Sequence, residues 1–358
     1  MTTSALVWSH EYPAAVRALV DAAKKTVSLR TFLLETRPRR DSANVSGLVE
    51  ALGHAASRGV SVRVLLTVPR TLGVRVPNVA SAGLLSALGV DVRLEDSGDH
   101  GKCLVVDNDI SIVGSHNWTS AAFAASVECS VAVSGGVVAT ALLDDFEHRW
   151  SKADAGFVER VFPELREAMA APGFPLFSRA VGAGRPAVHA LKFVDAREVE
   201  LLVDATYAER LVARLAAARK SVHVMMYHFS ARSGRRDETD TILDALGTAK
   251  KGGAVVEVLL DYDDKNDRML SDVVNQKAFA ALQKMGAVVR RDSAKTLMHA
   301  KVVVIDDETV FAGSHNWTRL SLLNDGDVSV RVESTALAAA TKKKLSAAWS
   351  TATPLAMG

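Results

Sequence analysis

Cysteine, net charge and long apolar runs are scarce in this 358-residue sequence, and each shortage excludes a class of protein. The two cysteines, Cys103 and Cys129, stand in apolar segments and are too few for a disulfide scaffold. We therefore expect both thiols to be buried and reduced, as in a cytoplasmic protein. A formal net charge of +2 neither predicts nor excludes a nucleic-acid partner.

Membrane and export signals are also missing from the sequence. No apolar run reaches the roughly 18 residues that a membrane-spanning helix needs, so none is predicted. The start, MTTSALVWSHEYP, has no basic segment followed by an apolar core, so we expect no signal peptide. Together these features predict a cytoplasmic location.

What the sequence does contain is a long internal repeat. HGKCLVVDNDISIVGSHNW begins at His100, and HAKVVVIDDETVFAGSHNW begins at His299. Every matched residue of the second copy lies 199 positions after its counterpart, and Trp150 and Trp349 keep the same offset. The matched polar residues are His100, Lys102, Asp107, Ser115 and Asn117 with His299, Lys301, Asp306, Ser314 and Asn316. A repeat without gaps indicates a duplication of one structural unit.

Helical and strand patterns alternate in both copies. The first predicted element of each copy is a helix, Pro13 to Lys25 in one and Tyr207 to Ala217 in the other. The alternation predicts an α/β fold with two duplicated α/β/α sandwich units, each a mixed sheet with helices on both faces. We predict an N-terminal unit at 1–152, a proline- and glycine-containing connecting segment at 153–198, and a C-terminal unit at 199–358.

The repeated motif is predicted to form a β-hairpin. A histidine and a lysine two residues apart lie on the same face of a strand. If Asn108-Asp109 forms a two-residue turn, His100 lies opposite Asn117, and the second copy follows the same rule. We therefore expect His, Lys and Asn to gather at one end of each hairpin, with Asp107 as a structural residue near the turn.

The pattern HxK(x)4D(x)6GSxN, present twice, resembles that of the phospholipase D superfamily. The resemblance implies two units related by a pseudo-dyad, with both motifs facing one active site at their interface. The implied catalytic residues are His100, Lys102, Asn117, Glu128, His299, Lys301, Asn316 and Asp327, and the motif-supporting residues are Asp107, Ser115, Asp306 and Ser314.

The resemblance also implies a carboxylate that orients each histidine. Glu128 follows His100 by 28 residues, and Asp327 follows His299 by 28. We expect each acid to accept a hydrogen bond from the far ring nitrogen of the histidine in its own copy. Aspartate is one methylene shorter than the usual glutamate, so the orientation of His299 is expected to be the weaker of the two.

The residue types predict chemistry on a phosphodiester. Lysines and asparagines supply fixed charge and donors where negative charge develops, so we expect no metal and no cofactor. One neutral histidine attacks phosphorus to form a phosphohistidine, and the other gives a proton to the leaving oxygen. The resemblance assigns attack to His100 and proton donation to His299.

The substrate is predicted from two basic loops. Each follows the first strand of its copy, and together they contain Arg37, Arg39, Arg40, Arg232, Arg235 and Arg236. Arginines on both sides of a shared cleft suit a polyanionic backbone, which favours a nuclease acting on DNA or RNA. The alternatives are a phospholipase D or phosphatidyltransferase acting on membrane lipid, and a module that binds phosphate without cleaving it. Both half-sites lie in one chain, so no oligomer is required.

Overall fold

The computed structural model of the chain describes residues 2–36, 43–69, 72–156, 191–231, 236–263, 270–293, 296–323 and 326–354. These residues form two eight-stranded sheets with helices packed against them. The first sheet has the strand order β4-β3-β2-β5-β6-β7-β1-β8, and the second has the order β16-β12-β11-β10-β13-β14-β15-β9.

The first sheet is built from eight strands. They are β1 (Thr3–Trp8), β2 (Thr26–Thr31), β3 (Ser61–Thr67), β4 (Asp91–Glu95), β5 (Cys103–Val106), β6 (Ile110–Gly114), β7 (Cys129–Ser134) and β8 (Val194–Asp195). A 3-10 turn and five helices accompany them: Ser9–Glu11, α1 (Tyr12–Ala22), α2 (Ala43–Ser57), α3 (Leu72–Ala87), α4 (Ser120–Ala124) and α5 (Val137–Lys152).

The second sheet repeats this arrangement. Its strands are β9 (Glu198–Val203), β10 (Ser221–Met226), β11 (Val255–Leu260), β12 (Val288–Arg291), β13 (Lys301–Ile305), β14 (Thr309–Gly313), β15 (Val328–Glu333) and β16 (Thr353–Pro354). Its helices are α6 (Ala205–Ala216), α7 (Glu238–Lys251), α8 (Ser271–Lys284), α9 (Arg319–Leu323) and α10 (Thr335–Thr351).

Both sheets are mixed, as the sequence predicts. β2, β3 and β4 run parallel to one another, as do β10, β11 and β12, and the remaining pairings are antiparallel. Parallel neighbours need a crossover helix, and α2 and α3 provide these connections in the first sheet. Gly89 and Gly286, each with φ +80°, end the crossover helices α3 and α8 in the left-handed conformation that glycine adopts without strain.

The strands that open each unit were not predicted. β1 pairs with β7, and β9 pairs with β15, so each precedes the helix that the sequence predicts as the first element. β8 also pairs with β1, so Val194 and Asp195 of the predicted connecting segment belong to the first sheet. The boundaries 1–152, 153–198 and 199–358 stay a prediction, since residues 157–190 lie outside the described residues.

The two sheets share one apolar core. Val105, Val113 and Val131 of the first sheet belong to the same buried cluster as Val302 and Val330 of the second. Helices α5 and α10 contribute Leu142 and Leu345 to this cluster, while each unit has its own separate core on the opposite face of its sheet. This shared layer fixes the two motif hairpins relative to each other. In the part of the chain that the structure describes, no helix has the length and apolar character to cross a membrane.

Candidate active site

The two motifs form hairpins, but their register differs by one residue from the predicted one. Val106 pairs with Ile110 and Ile305 pairs with Thr309, so three residues, rather than two, separate the strands in each copy. Asp107 and Asn108 have φ of 53° and 56°, and the residues at the equivalent turn behave alike. The predicted opposition of His100 and Asn117 is therefore wrong, because Asp107 belongs to the turn rather than to the strand.

Asp107 and Asp306 tie these turns to the first parallel strand of each sheet. The carboxylate of Asp107 accepts the backbone N–H groups of Lys24, Lys25 and Thr26 at 2.9, 2.7 and 2.9 Å. Asp306 does the same for three consecutive N–H groups beginning at Arg219. Because these bonds favour the charged form, the pKa of each carboxyl lies below its usual value, against an opposing effect of burial. Both aspartates thus hold the hairpin in place, and neither reaches the histidines.

The two motif histidines meet across the interface between the sheets. The ring centroids of His100 and His299 lie 6.3 Å apart, with the planes at 80°. A short bridge between Val127 and Met298 brings the units together here, and the N–H of His299 donates to the carbonyl of Val127 at 2.9 Å. The imidazoles are therefore placed so that one small group could contact both.

Each histidine takes its carboxylate partner from the other unit, which corrects the predicted pairing. His100 Nδ1 lies 3.1 Å from Asp327 Oδ1, and His299 Nδ1 lies 3.0 and 3.1 Å from the two oxygens of Glu128. The shorter acid thus faces His100 and not His299. A carboxylate at Nδ1 makes that nitrogen the hydrogen donor and leaves Nε2 with its lone pair.

Serines hold the two carboxylates. Ser115 Oγ donates to Glu128, and Ser314 Oγ donates to Asp327 at 2.5 Å. Asp327 receives a further hydrogen bond from Ser321 Oγ, also at 2.5 Å. The corresponding residue of the first copy, Ala122, has no hydroxyl. The shorter acid is therefore held by two hydroxyls, which fix both of its oxygens.

The motif lysines lie buried beneath the histidines. Lys102 Nζ donates to the carbonyl of His100, and Lys301 Nζ donates to that of His299 at 2.5 Å. Their side chains are 3 % and 2 % exposed. Burial lowers the pKa of Lys102 to about 8 and that of Lys301 to about 7. An anionic ligand would offset this cost, so the pair is suited to holding a phosphate.

Two aromatic residues that sequence reasoning missed pack against both groups. Phe32 meets His100 edge-on at 4.9 Å and lies 5.0 Å from Lys102 Nζ. Tyr227 meets His299 at 5.0 Å and lies 4.9 Å from Lys301 Nζ. Phe32 follows the last residue of β2, and Tyr227 follows the last residue of β10. An alignment of β2 with β10 could therefore have found them.

The motif asparagines follow the serines on the same loops. The Oδ1 atoms of Asn117 and Asn316 are buried, and neither has a hydrogen-bond partner among the described residues. The histidines before them point elsewhere: Nδ1 of His116 and His315 bonds Ser130 and Ser329 at 2.7 and 2.8 Å. Each asparagine therefore keeps an amide oxygen that can accept a hydrogen bond, and its amide nitrogen is the atom that could donate to a phosphoryl oxygen. His116 and His315 are packing residues.

The electrostatic environments of the two histidines differ. Burial, and next the charge of Lys102, lowers the pKa of His100, while Asp327 opposes that shift. The pKa of His299 lies well below its usual value, from burial and the two lysines. Burial raises the pKa of Glu128. Burial also acts to raise the pKa of Asp327, but the charge and hydrogen bond of His100, together with the charges of His315 and Lys102, exceed that effect and hold this pKa well below its usual range. The His100–Asp327 pair is thus the more strongly polarised of the two.

Only one of the six arginines predicted to bind substrate, Arg236, lies among the described residues. Arg37, Arg39, Arg40, Arg232 and Arg235 lie outside the described residues. Arg236 is exposed, and its guanidinium lies 2.5 Å from Asp244 Oδ2. Its charge is therefore partly balanced within the second unit.

Comparisons with known proteins find a match in each of the two units. A family model described as "Cardiolipin synthase, PLD-like domain" matches residues 16–150 and 211–349, one match in each unit. Mitochondrial cardiolipin hydrolase from Mus musculus is 28% identical over 126 residues, which are 35% of this chain and 50% of the relative. The matched region thus spans only half of that relative's length.

Solved structures share the fold at low sequence identity. Phosphatidylserine synthase from Haemophilus influenzae Rd KW20 superposes with a TM-score of 0.69 at 12% identity, covering 98% of this chain and 87% of that one. Polyphosphate kinase from Porphyromonas gingivalis gives a TM-score of 0.54 at 12% identity, covering 96% of this chain and 50% of that one. The duplicated two-sheet arrangement is therefore a known one.

Proposed function

The chain belongs to the phospholipase D-like family of that model, and we propose that it cleaves a phosphodiester through a covalent phosphohistidine, with no metal ion. The observation that carries the proposal is the histidine pair, 6.3 Å apart and each with a carboxylate at Nδ1. Nε2 of each ring is then free to attack phosphorus or, when protonated, to donate to a leaving oxygen.

The positive charge for this chemistry comes from the protein itself. Lys102 and Lys301 lie under the two histidines, where water is excluded and their charges act strongly on a bound phosphate. The amide N–H groups of Asn117 and Asn316 would donate to the phosphoryl oxygens. We keep His100 as the nucleophile and His299 as the acid, the assignment that the family resemblance implies.

The role of each carboxylate follows from the crossed pairing. Asp327 would hold the tautomer of the attacking His100 and stabilise the charge that its ring acquires. Glu128 would do the same for His299 when it carries the proton that the leaving group takes. Each unit thus completes the half-site of the other, so neither unit would be active alone.

For the substrate we propose a phospholipid phosphodiester, with a nucleic acid as the second candidate. The family model and the cardiolipin hydrolase relatives support a lipid substrate. The nucleic-acid candidate rests on the two arginine-containing loops of the sequence. A site that binds phosphate without cleaving it is the remaining alternative.

The proposal is tested by turnover assays in EDTA. The substrates are cardiolipin vesicles, phosphatidylcholine vesicles, and labelled single-stranded and duplex oligonucleotides. His100→Ala and His299→Ala should each lose at least about a thousandfold in rate. His54→Ala, which removes an exposed histidine of α2, should keep the wild-type rate.

Each result has a definite meaning. Lipid cleavage that both substitutions abolish supports the proposal, and oligonucleotide cleavage alone would move the second candidate to first place. Binding of inorganic phosphate without turnover of any of these substrates would contradict a catalytic role.

A further inference from the structure

Large aliphatic side chains are exposed beside the histidine pair. Leu297 is 40% exposed and stands two residues before His299. Leu320 and Leu323, on helix α9, are 69% and 43% exposed. We refer to Leu297, Leu320 and Leu323 as the leucine rim.

Hydrogen bonds connect the leucine rim to the catalytic residues. Ser321, next to Leu320, donates to Asp327, the carboxylate partner of His100. The carbonyl of Leu297 accepts the N–H of Val127 at 2.8 Å, immediately before Glu128. The rim therefore flanks both histidine–carboxylate pairs, with α9 at one pair and Leu297 at the other.

The rim belongs to the second unit alone. The positions 199 residues earlier are Gly98, Ala121 and Ala124, so the first unit has only small residues there. Those three residues are exposed as well, so the second unit bears leucines at sites where packing does not require them. Exposed apolar side chains that cluster beside a site mark an interaction surface.

Two valines extend the apolar border in both units. Asn78 of α3 accepts a hydrogen bond from the N–H of Leu34, and Asn275 of α8 accepts one from the N–H of Phe229. Asn78 and Asn275 are therefore equivalent positions of the two helices. By that alignment Val76 and Val273 are equivalent, and they are 52% and 59% exposed. Both stand in the first part of helices that begin after the carboxyl ends of β3 and β11, the sheet edge that also carries Phe32 and Tyr227.

We propose that the leucine rim docks the active site onto the surface of a phospholipid bilayer. A substrate whose phosphodiester lies between His100 and His299 must extend its remaining atoms over this border. Acyl chains and the interfacial layer of a bilayer match exposed leucines, whereas a nucleic-acid backbone would meet them without a charge partner. The exposed Arg319, which begins α9, adds a positive charge for anionic headgroups. This inference rests on the proposed function, since it specifies how that site reaches its substrate.

Flotation with vesicles of phosphatidylcholine and cardiolipin in equal mass tests the docking. Leu320→Ser/Leu323→Ser removes the two leucines of α9, and Val255→Ser/Val288→Ser is the matched control. Val255 and Val288 are each 51% exposed but begin β11 and β12, at the sheet edge opposite the site. The rim variant should partition to vesicles at least about tenfold less than wild type, and the control should partition as wild type.

A water-soluble diester, bis(p-nitrophenyl) phosphate, separates docking from chemistry. Both variants should hydrolyse it within about twofold of the wild-type rate, because their histidine pair is intact. If wild type floats with vesicles but hydrolyses none of the substrates, the proposed function is contradicted and the docking is supported. Unchanged flotation of the rim variant, equal loss in the control, or a rim variant that loses oligonucleotide binding instead would overturn the docking.

Discussion

At the residue scale, each motif histidine depends on a carboxylate from the other unit. The sequence places Glu128 and Asp327 at the same distance after the two histidines, and that spacing suggests pairs within one copy. The structure pairs His100 with Asp327 and His299 with Glu128. The spacing along the chain is the same whether each carboxylate contacts the histidine of its own copy or that of the other copy. The sequence therefore cannot distinguish the two pairings.

The crossed pairing predicts how each histidine titrates in variants. Asp327 raises the pKa of His100 by its charge and hydrogen bond, so Asp327→Asn should lower that pKa further. Glu128→Gln should leave the pKa of His100 nearly unchanged. NMR titration of the ring signals measures both. A fall in the pKa of His100 in Glu128→Gln but not in Asp327→Asn would restore the pairing within one copy.

Lys301 illustrates a conflict between stability and activity. Burial lowers the pKa of Lys301 from 10.5 to about 7. Below about pH 7 the ammonium is charged in the folded state, and its full cost destabilises the fold. This cost disappears as the pH rises from about 7 to the pKa of the unfolded state, 10.5. Near pH 6 the free energy of unfolding of Lys301→Met should therefore be about 1 to 4 kcal/mol larger than that of wild type. It should also lose most activity.

Urea unfolding of both proteins from about pH 6 to about pH 10 measures this difference. The stability advantage of Lys301→Met should shrink across that range. A constant advantage, or a variant that is less stable than wild type near pH 6, would show that the ammonium is not held at a cost.

At the element scale, the motif aspartate fixes the hairpin to the neighbouring segment. Asp107→Ala removes the acceptor of three backbone N–H groups and should cost about 1 to 3 kcal/mol of unfolding free energy. Asp107→Asn keeps one oxygen and tolerates a φ of 53°, so its cost should be smaller. Denaturation measures both, and turnover of the folded fraction should change less than twofold. An activity loss of Asp107→Ala as large as that of His100→Ala would instead give Asp107 a catalytic role.

Local patterns predicted the long elements better than the short ones. Apolar periodicity predicts helices at Pro13 to Lys25 and at Tyr207 to Ala217, and the structure has α1 (Tyr12–Ala22) and α6 (Ala205–Ala216) there. The same periodicity predicts α3 only near Ala80 to Leu88, whereas this helix begins at Leu72, because Pro77 interrupts the helical pattern of its first turns. β1 and β9 were missed because each gains its stability from pairing with a distant strand, β7 or β15. The turn register depended on the left-handed conformation of Asp107, which aspartate adopts more readily than most residues but does not require.

At the scale of the whole molecule, the two units use different contacts at equivalent interface positions. Arg30 is 1% exposed, lies 3.3 Å from Asp99, and donates to the carbonyl of Gly326 at 2.6 Å, next to Asp327. The equivalent residues of the second unit are Met225 and Met298, because Arg30 pairs with Cys103 and Met225 pairs with Val302, 199 positions later. A buried ion pair in one unit thus replaces an apolar pair in the other.

This asymmetry predicts a rescue by a second substitution. Arg30→Met should cost about 3 to 5 kcal/mol, because it removes the nearer of two cations from the buried Asp99 and leaves only Arg149, 3.7 Å away. Arg30→Met/Asp99→Met copies the second unit and should be more stable than Arg30→Met. Chemical denaturation of both variants measures the difference. A double variant that is less stable than the single one would mean that the contact with Gly326, rather than the charge balance, is the main contribution of Arg30.

The sequence largely predicted which residues form the site, but it did not predict how the two units bring them together. The repeated motif identified the histidines, lysines and serines that the structure brings together, because their spacing is local. Phe32, Tyr227 and Ser321 come from other elements, and only the packing of the two sheets shows that they belong to the site. The arginine-based prediction of the substrate depends on loops outside the described residues.

The covalent intermediate tests the central claim most directly. Enzyme is mixed with bis(p-nitrophenyl) phosphate labelled at phosphorus, quenched in alkali and digested. Attack by His100 forms an N–P bond and releases one p-nitrophenolate, so the label should appear in one peptide, as a p-nitrophenyl-phosphorylated His100. The label should be absent in His100→Ala and present in His299→Ala, because p-nitrophenol leaves without a proton donor. Turnover by wild type with no label at His100 or His299 would contradict the account.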